Sequence, residues 1–370
     1  TAVGNSAMLS IGTGGNNVAV GVSAMYGGVG AANQVAIGTE ALYSATSGLA
    51  NVAVGYRAAK ALGSGETENI AIGYHTMYLM DEGSGANVDE NIAIGSYAMQ
   101  GKDLGSASTD ITRNIAIGKE TLQLSSAEAA SDNIAIGYRA LKAVTSGDDN
   151  IAIGQTAGDA ITTGTYNIAM GQNALSSVNT GGSNIGIGRN AGVNLTTANG
   201  NVFIGYGIGY AGRGTNTSAP FNKGEYNTFV GHHAGKEFTT ASNLTLLGYK
   251  AGESLRTTTN TVIIGNDAGR DADVGDYNVL IGSYSGFNST GGSNATLGYA
   301  AAMDLTSGHS NVAIGSNAAQ NMTSGYENVA IGRDALQQNT VTGNNNVAVG
   351  HDALKGIADS FGNIGIGTGA

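Results

Sequence analysis

Apolar and small residues alternate in a short phrase that returns along the whole chain. The phrase is Asn-[Val/Ile]-Ala-[Val/Ile]-Gly, and most copies follow the previous one after seventeen residues. Alternation with a period of two predicts a strand of about five residues, and the glycine predicts a bend at its end. A less regular stretch is predicted to form a second short strand, and a Thr/Ser-Gly turn, such as Thr145–Gly147, leads back to the next asparagine, so that two short strands and two turns make one coil.

A unit repeated at nearly constant spacing predicts a stacked solenoid. We expect an all-β fold, a parallel β-solenoid or β-roll of about 21 coils of about 17 residues, stacked at about 4.8 Å. No shift in composition marks a boundary, so residues 1–370 are predicted to form a single continuous repeat domain. The pattern is under way at Thr1 and stops within a repeat at Ala370, so we expect a fragment of a longer chain.

Both faces of the predicted strand are apolar, which is typical of strands that are covered on both sides. We expect the branched residues to fill the coil and the alanines, such as Ala19 and Ala135, to meet another copy of the chain. Representative branched residues are Val18, Val20, Ile134 and Ile136.

The central strand residue exchanges volume with the residue six positions later. A bulky centre is followed by glycine at that position, whereas an alanine centre is commonly followed by Leu or Met, although Ala152 with Gly158 is an exception. Close packing demands such an exchange when two positions share one space. We expect residues 201–290 to have an altered cross-section, with their bulky centres buried in the packing between copies. Those centres are Phe203, Phe229, Leu246, Ile263 and Leu280.

The asparagine that precedes each strand forms a second regular row. Identical amides one coil apart can hydrogen-bond along the stack and satisfy polar groups beside the core. We therefore expect a structural ladder, represented by Asn17, Asn51, Asn150, Asn278 and Asn346.

Charge and cysteine content restrict the partners. The net charge is −11, without a cluster of Lys or Arg, which argues against nucleic acid as a partner. The apolar runs are far shorter than the ~20 residues that a membrane-spanning helix needs, so no membrane insertion is expected. The absence of cysteine excludes disulfides and thiolate metal sites.

The sequence contains little that indicates catalysis. The five histidines fall at unrelated phases of the repeat, except for the neighbours His232 and His233. A glycan-cleaving enzyme would need acidic residues grouped on one lateral face, and the phases of Asp and Glu do not group in this way. We predict no enzyme activity, no catalytic residue, no cofactor and no metal site.

Three longer steps interrupt the period, near residues 79–90, 101–113 and 206–226. Loops that project from a rigid repeat often carry recognition, although a plain surface loop is the simpler interpretation. The third insert has side chains able to stack on a sugar or pack on a protein. The candidate ligand-contact residues are Tyr206, Tyr210, Arg213, Phe221 and Tyr226.

The repeat resembles known families. Asn-Val-Ala-Val-Gly followed by x-x-Ala resembles the YadA-like head repeats of trimeric autotransporter adhesins, and the longer form with Ala-Leu and Thr-x-Gly-x-x-Asn is similar to repeats of viral tail-fibre proteins. The resemblance implies a left-handed β-roll wound as a homotrimer. It also implies an extracellular fibre or adhesin shaft on a virion or cell surface, holding a binding end toward a host-surface glycan or protein.

A different class remains open as the alternative, an ice-, crystal- or carbohydrate-binding solenoid. A lattice-binding rod would need flat parallel rows of threonine on a strand. The threonines here, such as Thr145, Thr162, Thr306 and Thr323, cluster at a turn and shift in phase. The structural fibre is therefore the preferred prediction.

Overall fold

The computed structural model describes residues 1–80, 87–101, 110–124, 130–210, 223–337, 342–357 and 360–370. These residues form an all-β parallel solenoid of about 19 turns, somewhat fewer than the predicted 21, with no helix among them. They fall into two compact units, Thr1–Gly186 and Ile187–Ala370, which repeat the same coil. The predicted all-β parallel solenoid is confirmed, whereas the left-handed coil, the homotrimer and the single-domain organisation stay predictions.

Most coils of the first unit contribute a single three-residue strand, rather than two strands of which the first has about five residues. Each strand pairs in parallel with its neighbour and places identical or similar residues side by side, such as Ala135 and Ala152. Two inserts add a small separate pair, in which β6 and β8 lie side by side. The strands are β1 (Ala2–Val3), β2 (Val18–Val20), β3 (Val35–Ile37), β4 (Val52–Val54), β5 (Ile70–Ile72), β6 (Val88–Asp89), β7 (Ile92–Ile94), β8 (Ile111–Thr112), β9 (Ile115–Ile117), β10 (Ile134–Ile136), β11 (Ile151–Ile153) and β12 (Ile168–Met170).

The second unit continues the same scheme, and its neighbouring strands also pair in parallel, as Phe229 does with Leu246. Strand β13 (Ile185–Ile187) lies where the two units are divided. The remaining strands are β14 (Val202–Ile204), β15 (Thr228–Val230), β16 (Thr245–Leu247), β17 (Val262–Ile264), β18 (Val279–Ile281), β19 (Ala295–Leu297), β20 (Val312–Ile314), β21 (Val329–Ile331), β22 (Val347–Val349) and β23 (Ile364–Ile366).

The glycine after each strand lets neighbouring coils approach closely. At Gly154 the backbone has φ of +137°, a region that side chains disfavour. A Cβ there would lie 2.7 Å from both the carbonyl carbon and the oxygen of Gly171. This spacing repeats along each unit, so only glycine fits the bend.

The central residue of each strand lies inside the coil, and the branched residues beside it face outward. Ala19 and Ala135 are fully buried within their own chain, whereas Val18 and Val20 each remain 36% exposed, and the flanking isoleucines of Ile134–Ile136 are half-buried. The predicted orientation is therefore wrong: the branched residues do not fill the coil, and the alanines do not meet another copy. A coil of this size has room for one small central residue and one Leu or Met beside it.

The bulky central residues are buried as well, but inside their own coil. All five have 0% exposure, so their assignment to packing between copies is wrong. Phe229 stacks on Phe203 at 4.9 Å between ring centroids and meets Phe238 edge-on at 5.3 Å. The five residues are Phe203, Phe229, Leu246, Ile263 and Leu280.

The exchange of volume takes place in that interior. A Cβ on Gly235 would lie 2.5 Å from the ring of Phe229, and one on Gly286 would lie 2.8 Å from Leu280. The exception, Gly158, has Ile161 in the same place, because a Cβ there would lie 2.9 Å from the Ile161 Cδ1. The interior of each coil is therefore a single space of limited volume, and the large side chain that fills it can come from two or three alternative positions of the coil.

The asparagines that precede the strands bond from coil to coil. The Asn150 backbone N–H donates to the Asn133 Oδ1 at 3.0 Å, and the Asn150 side-chain amide donates to the Gly164 carbonyl at 2.9 Å. The Asn150 Oδ1 in turn accepts the backbone N–H of Asn167 at 3.0 Å. Leu244 interrupts the row in the second unit. Asn17, Asn51, Asn150, Asn278 and Asn346 all lie in this row and bond to neighbouring coils.

Replacing Asn150 with alanine is expected to destabilise the chain by about 3 kcal/mol, because it strands the buried Asn167 N–H and Gly164 carbonyl without a partner. Urea unfolding followed by circular dichroism measures the change. Gln172→Ala is the matched control, since it removes an exposed amide-to-amide bond to Gln155 at 3.4 Å. If the two variants lost the same free energy of unfolding, the buried hydrogen bonds of the asparagine ladder would not stabilise the fold as proposed.

Candidate functional site

One side of the coil concentrates aromatic and charged side chains. We call it the post-strand edge and define it as the first, second and fifth residues after the strand glycine. In the second unit Tyr206, His232 and Tyr249 stack there on successive coils, with ring centroids 5.1 and 5.4 Å apart. Arg189 covers the free face of Tyr206 at 4.7 Å and donates to its hydroxyl at 2.7 Å. The ring faces are thus largely occupied, and the hydroxyl-bearing rims remain accessible.

A pocket of about 170 Å³ opens beside this aromatic row. Of the predicted contact residues it brings together Tyr206 and Tyr210, whereas Tyr226 lies beside Gly200, at the turn before the next strand. Arg213 and Phe221 lie outside the described residues. The lining residues are Asn190, Tyr206, Gly207, Tyr210, His233 and Lys236.

Sequence reasoning missed Asn190, His233 and Lys236 as site residues. All three occupy the post-strand edge of coils next to that of Tyr206, at the second or fifth position after a glycine. Reading the insert as a separate loop concealed this relation. Comparing equal phases of adjacent coils would have grouped the three with Tyr206 and Tyr210.

Charges around the pocket centre on one carboxylate. Glu253 lies 3.6 Å from the Lys236 ammonium, 3.5 Å from that of Lys250 and 3.2 Å from the Arg270 guanidinium. Burial, together with the neighbouring His232 and Lys236, lowers the pKa of His233 below its ordinary value. His233 is therefore a neutral imidazole near pH 7, able to donate one hydrogen bond and accept another.

The first unit has a related aromatic cluster at the same phases. Tyr56 and Tyr74 stack at 5.4 Å, His75 lies 4.3 Å from Tyr74, and Tyr97 meets Tyr74 edge-on at 5.5 Å. Burial and the nearby Arg57 lower the pKa of His75. The cluster packs mainly against itself.

A group of possible metal ligands lies on the post-strand edge near the end of the second unit. Ligand atoms of Asp334, His351 and Asp352 lie within 4.8 Å of one another. The Arg333 guanidinium contacts the His351 Nε2, and Lys355 donates to Asp352 at 2.7 Å. This bond to Lys355 lowers the pKa of the Asp352 carboxyl. Protein cations already neutralise the group, so we assign no metal to it.

Comparison of the chain with protein-family models, with curated proteins and with solved structures finds no match. The likeness to adhesin head repeats and tail-fibre repeats therefore stays a prediction from the sequence. None of the described segments contains a helix long and apolar enough to cross a membrane.

Proposed function

We propose that this chain is a non-catalytic structural segment of an extracellular fibre or adhesin shaft. Several copies wind side by side and hold a binding end away from a virion or cell surface. Three copies and a left-handed coil are what the resemblance to adhesin head repeats implies. The observation that carries the proposal is the apolar face that the strands turn outward.

This outward face consists of the first and third residues of each strand. Val, Ile, Leu or Met occupies nearly all of these positions in the three-residue strands. The exceptions are Thr228, Thr245 and Ala295, and none of the positions carries a charged residue. Single residues retain substantial exposure, such as 36% at Ile117 and 45% at Leu247. Over ten coils such a stripe is about 50 Å long at the strand spacing. Soluble monomers rarely expose an apolar patch of that extent, so it marks an interface.

A second copy of the chain fits this face better than an unrelated partner. A copy presents apolar rows with the same coil spacing, so every coil can meet a coil at the same height. The chain carries a net charge of −11, and copies repel one another except where charges are absent. The uncharged outward face is where close approach costs least.

The two edges beside the outward face carry opposite charge. The post-strand edge contains eleven Lys and Arg and seven Asp and Glu. We call the two residues before each ladder asparagine position the pre-strand edge. The pre-strand edge contains nine Asp and Glu, and Arg113 is its one basic residue. The post-strand cations are Arg57, Lys60, Lys119, Arg139, Lys142, Arg189, Lys236, Lys250, Arg270, Arg333 and Lys355, and the pre-strand acids are Glu68, Asp89, Glu90, Asp132, Asp148, Asp149, Glu225, Asp276 and Glu327.

This polarity favours copies that point the same way around a common axis. In that arrangement the post-strand edge of one copy lies beside the pre-strand edge of the next, so basic groups meet acidic groups. An antiparallel pair would place acidic edge against acidic edge. The charges thus support a cyclic fibre of parallel copies.

The threonine turns give no support to the lattice-binding alternative. The hydroxyls of Thr145 and Thr306 donate to the carbonyls of Thr162 and Thr323 at 3.1 and 2.9 Å. Thr239 likewise donates to Arg256 at 2.7 Å. Hydroxyls used within the stack are poorly placed to order a flat layer of water.

Placing lysine on the outward face is expected to weaken assembly by on the order of 100-fold, because charges would be buried without partners between copies. The variant is Ile94→Lys with Ile117→Lys, two residues that are neighbours across strands. The control is Gln155→Lys with Gln172→Lys, which adds the same charge at the post-strand edge. Sedimentation velocity across a dilution series measures both, and equal dissociation of the two variants would contradict the proposed interface.

A further inference from the structure

The pocket beside Tyr206 is rich in hydrogen-bond donors. Lys236 has an ammonium group, and Tyr206 and Tyr210 have hydroxyls. The Tyr206 hydroxyl already accepts a bond from Arg189, so its own proton is directed elsewhere. Among the described residues that line the pocket there is no carboxylate. Such a lining suits a ligand that brings acceptors and negative charge.

The immediate surroundings carry an excess of positive charge, although the chain as a whole is acidic. Lys236 and Lys250 share Glu253, and Arg270 has further carboxylate partners in Asp267 and Asp271 at 3.2 and 3.3 Å. No described carboxylate forms an ion pair with Arg189. Four cations, Arg189, Lys236, Lys250 and Arg270, therefore stand against the three carboxylates of Glu253, Asp267 and Asp271, and Arg189 is the cation without an acidic partner among the described residues, so a local surplus remains that attracts anions.

Size and geometry narrow the ligand further. A volume of about 170 Å³ is below the ~300 Å³ at which drug-sized ligands begin to fit, so one small unit can enter. The faces of Tyr206 are covered by Arg189 and His232, at 4.7 and 5.1 Å, so a sugar cannot stack on that ring. Recognition must come from hydrogen bonds to the rims of the aromatic side chains.

We infer that this pocket binds one carboxylate-bearing sugar unit of an acidic surface glycan. Lys236 pairs with the sugar carboxylate, and the hydroxyls of Tyr206 and Tyr210 bond to ring oxygens and hydroxyls. The neutral His233 can accept from a sugar hydroxyl, which a protonated imidazole could not do. The inference deepens the proposed function by giving the shaft a lateral contact with a host-surface glycan, and it rests on that function only for its biological use.

Saturation-transfer NMR on the full chain tests the inference with three probes. Glucuronate carries the carboxylate on a sugar ring, glucose has the ring without it, and inorganic sulfate is an anion without a ring. We expect millimolar binding of glucuronate and at least tenfold weaker binding of glucose. Sulfate should bind at least tenfold more weakly than glucuronate, so that it displaces glucuronate only at correspondingly higher concentrations. Absence of glucuronate binding at 20 mM, a concentration on the order of ten times the expected dissociation constant, would overturn the inference.

Lys236→Gln is expected to weaken glucuronate binding at least tenfold. The matched control is Lys60→Gln, since Lys60 occupies the same fifth position after its glycine and pairs with Glu40 at 2.8 Å. Melting curves of both variants show whether the fold is intact, and Tyr206→Phe, which removes only the hydroxyl, provides a second probe. Unchanged binding in both Lys236→Gln and Tyr206→Phe would contradict the assignment. Sedimentation of the same samples separates this result from the proposed function, because loss of assembly alone would count against the fibre and loss of binding alone against the pocket.

Discussion

Alanine in place of Gly154 will lower the melting temperature of the chain by about 10 °C, corresponding to a loss of about 5 kcal/mol. Two effects add: the backbone φ of +137° disfavours any side chain, and the new Cβ would meet the Gly171 carbonyl at 2.7 Å. Backbone on the neighbouring coil cannot rotate away as a side chain can. The stack must therefore open locally, and thermal melting followed by circular dichroism should detect the change.

The matched control for this substitution is Gly15→Ala. No atom lies within 4 Å of a Cβ built on Gly15, and its backbone is not in the left-handed region. That variant is expected to melt within about 2 °C of the parent. If both variants melted at the parent temperature, the close contact between neighbouring coils would not be the reason why glycine is required after each strand.

The second large effect concerns the shared interior volume of the Phe229 coil. Phe229→Ala should cost about 4 kcal/mol by leaving a cavity, and Gly235→Leu should cost about 2 kcal/mol by overfilling the same space. The double variant recreates the Ala and Leu pair of other coils, such as Ala36 with Leu42. It should recover at least half of the loss caused by Phe229→Ala. Urea unfolding of the four proteins completes a double-mutant cycle.

The backbone at position 235 permits this exchange. Gly235 has φ of +55°, and Leu42 adopts +48° at the same position of its own coil, so leucine can be accommodated there. Leu246 also borders the site, because a Cβ on Gly235 would lie 3.0 Å from its Cδ1, which is why recovery is expected to be partial. Strictly additive costs in the double variant would show that the two positions do not share one space.

The fold could be predicted because its local requirements recur in nearly every coil. The glycine is needed for the bend at φ near +135°, and the asparagine is needed to satisfy the turn carbonyl and the next backbone N–H. Each of these requirements therefore favours one residue type at one position of the repeat. A pattern with a period of seventeen is therefore enough to give strand, bend and ladder.

The orientation of the strand faces could not be predicted by the same reasoning. Apolar residues on both faces of a strand, as in Val18–Val20, indicate that both faces are covered. They do not indicate which of the two faces lies inside the coil. The exchange between Phe229 and Gly235 contained the answer, since both residues belong to one chain and compete for its interior. Attributing that exchange to packing between copies reversed the two faces.

The pocket could be predicted only by knowing which positions of adjacent coils lie side by side. Tyr206 and Tyr210 were found because they begin an insert, whereas His233 and Lys236 are separated from them by more than twenty residues of sequence. The fold brings them together because the first, second and fifth residues after the glycine share one edge in adjacent coils. Composition alone does not show this edge.

Sedimentation equilibrium of the full chain at micromolar concentration tests the central claim most directly. We propose that sister copies cover the outward rows of Val and Ile, so the expected mass is about three times the 36.8 kDa of one chain. A single species of 36.8 kDa at all concentrations, with the outward face in contact with water, would contradict the account.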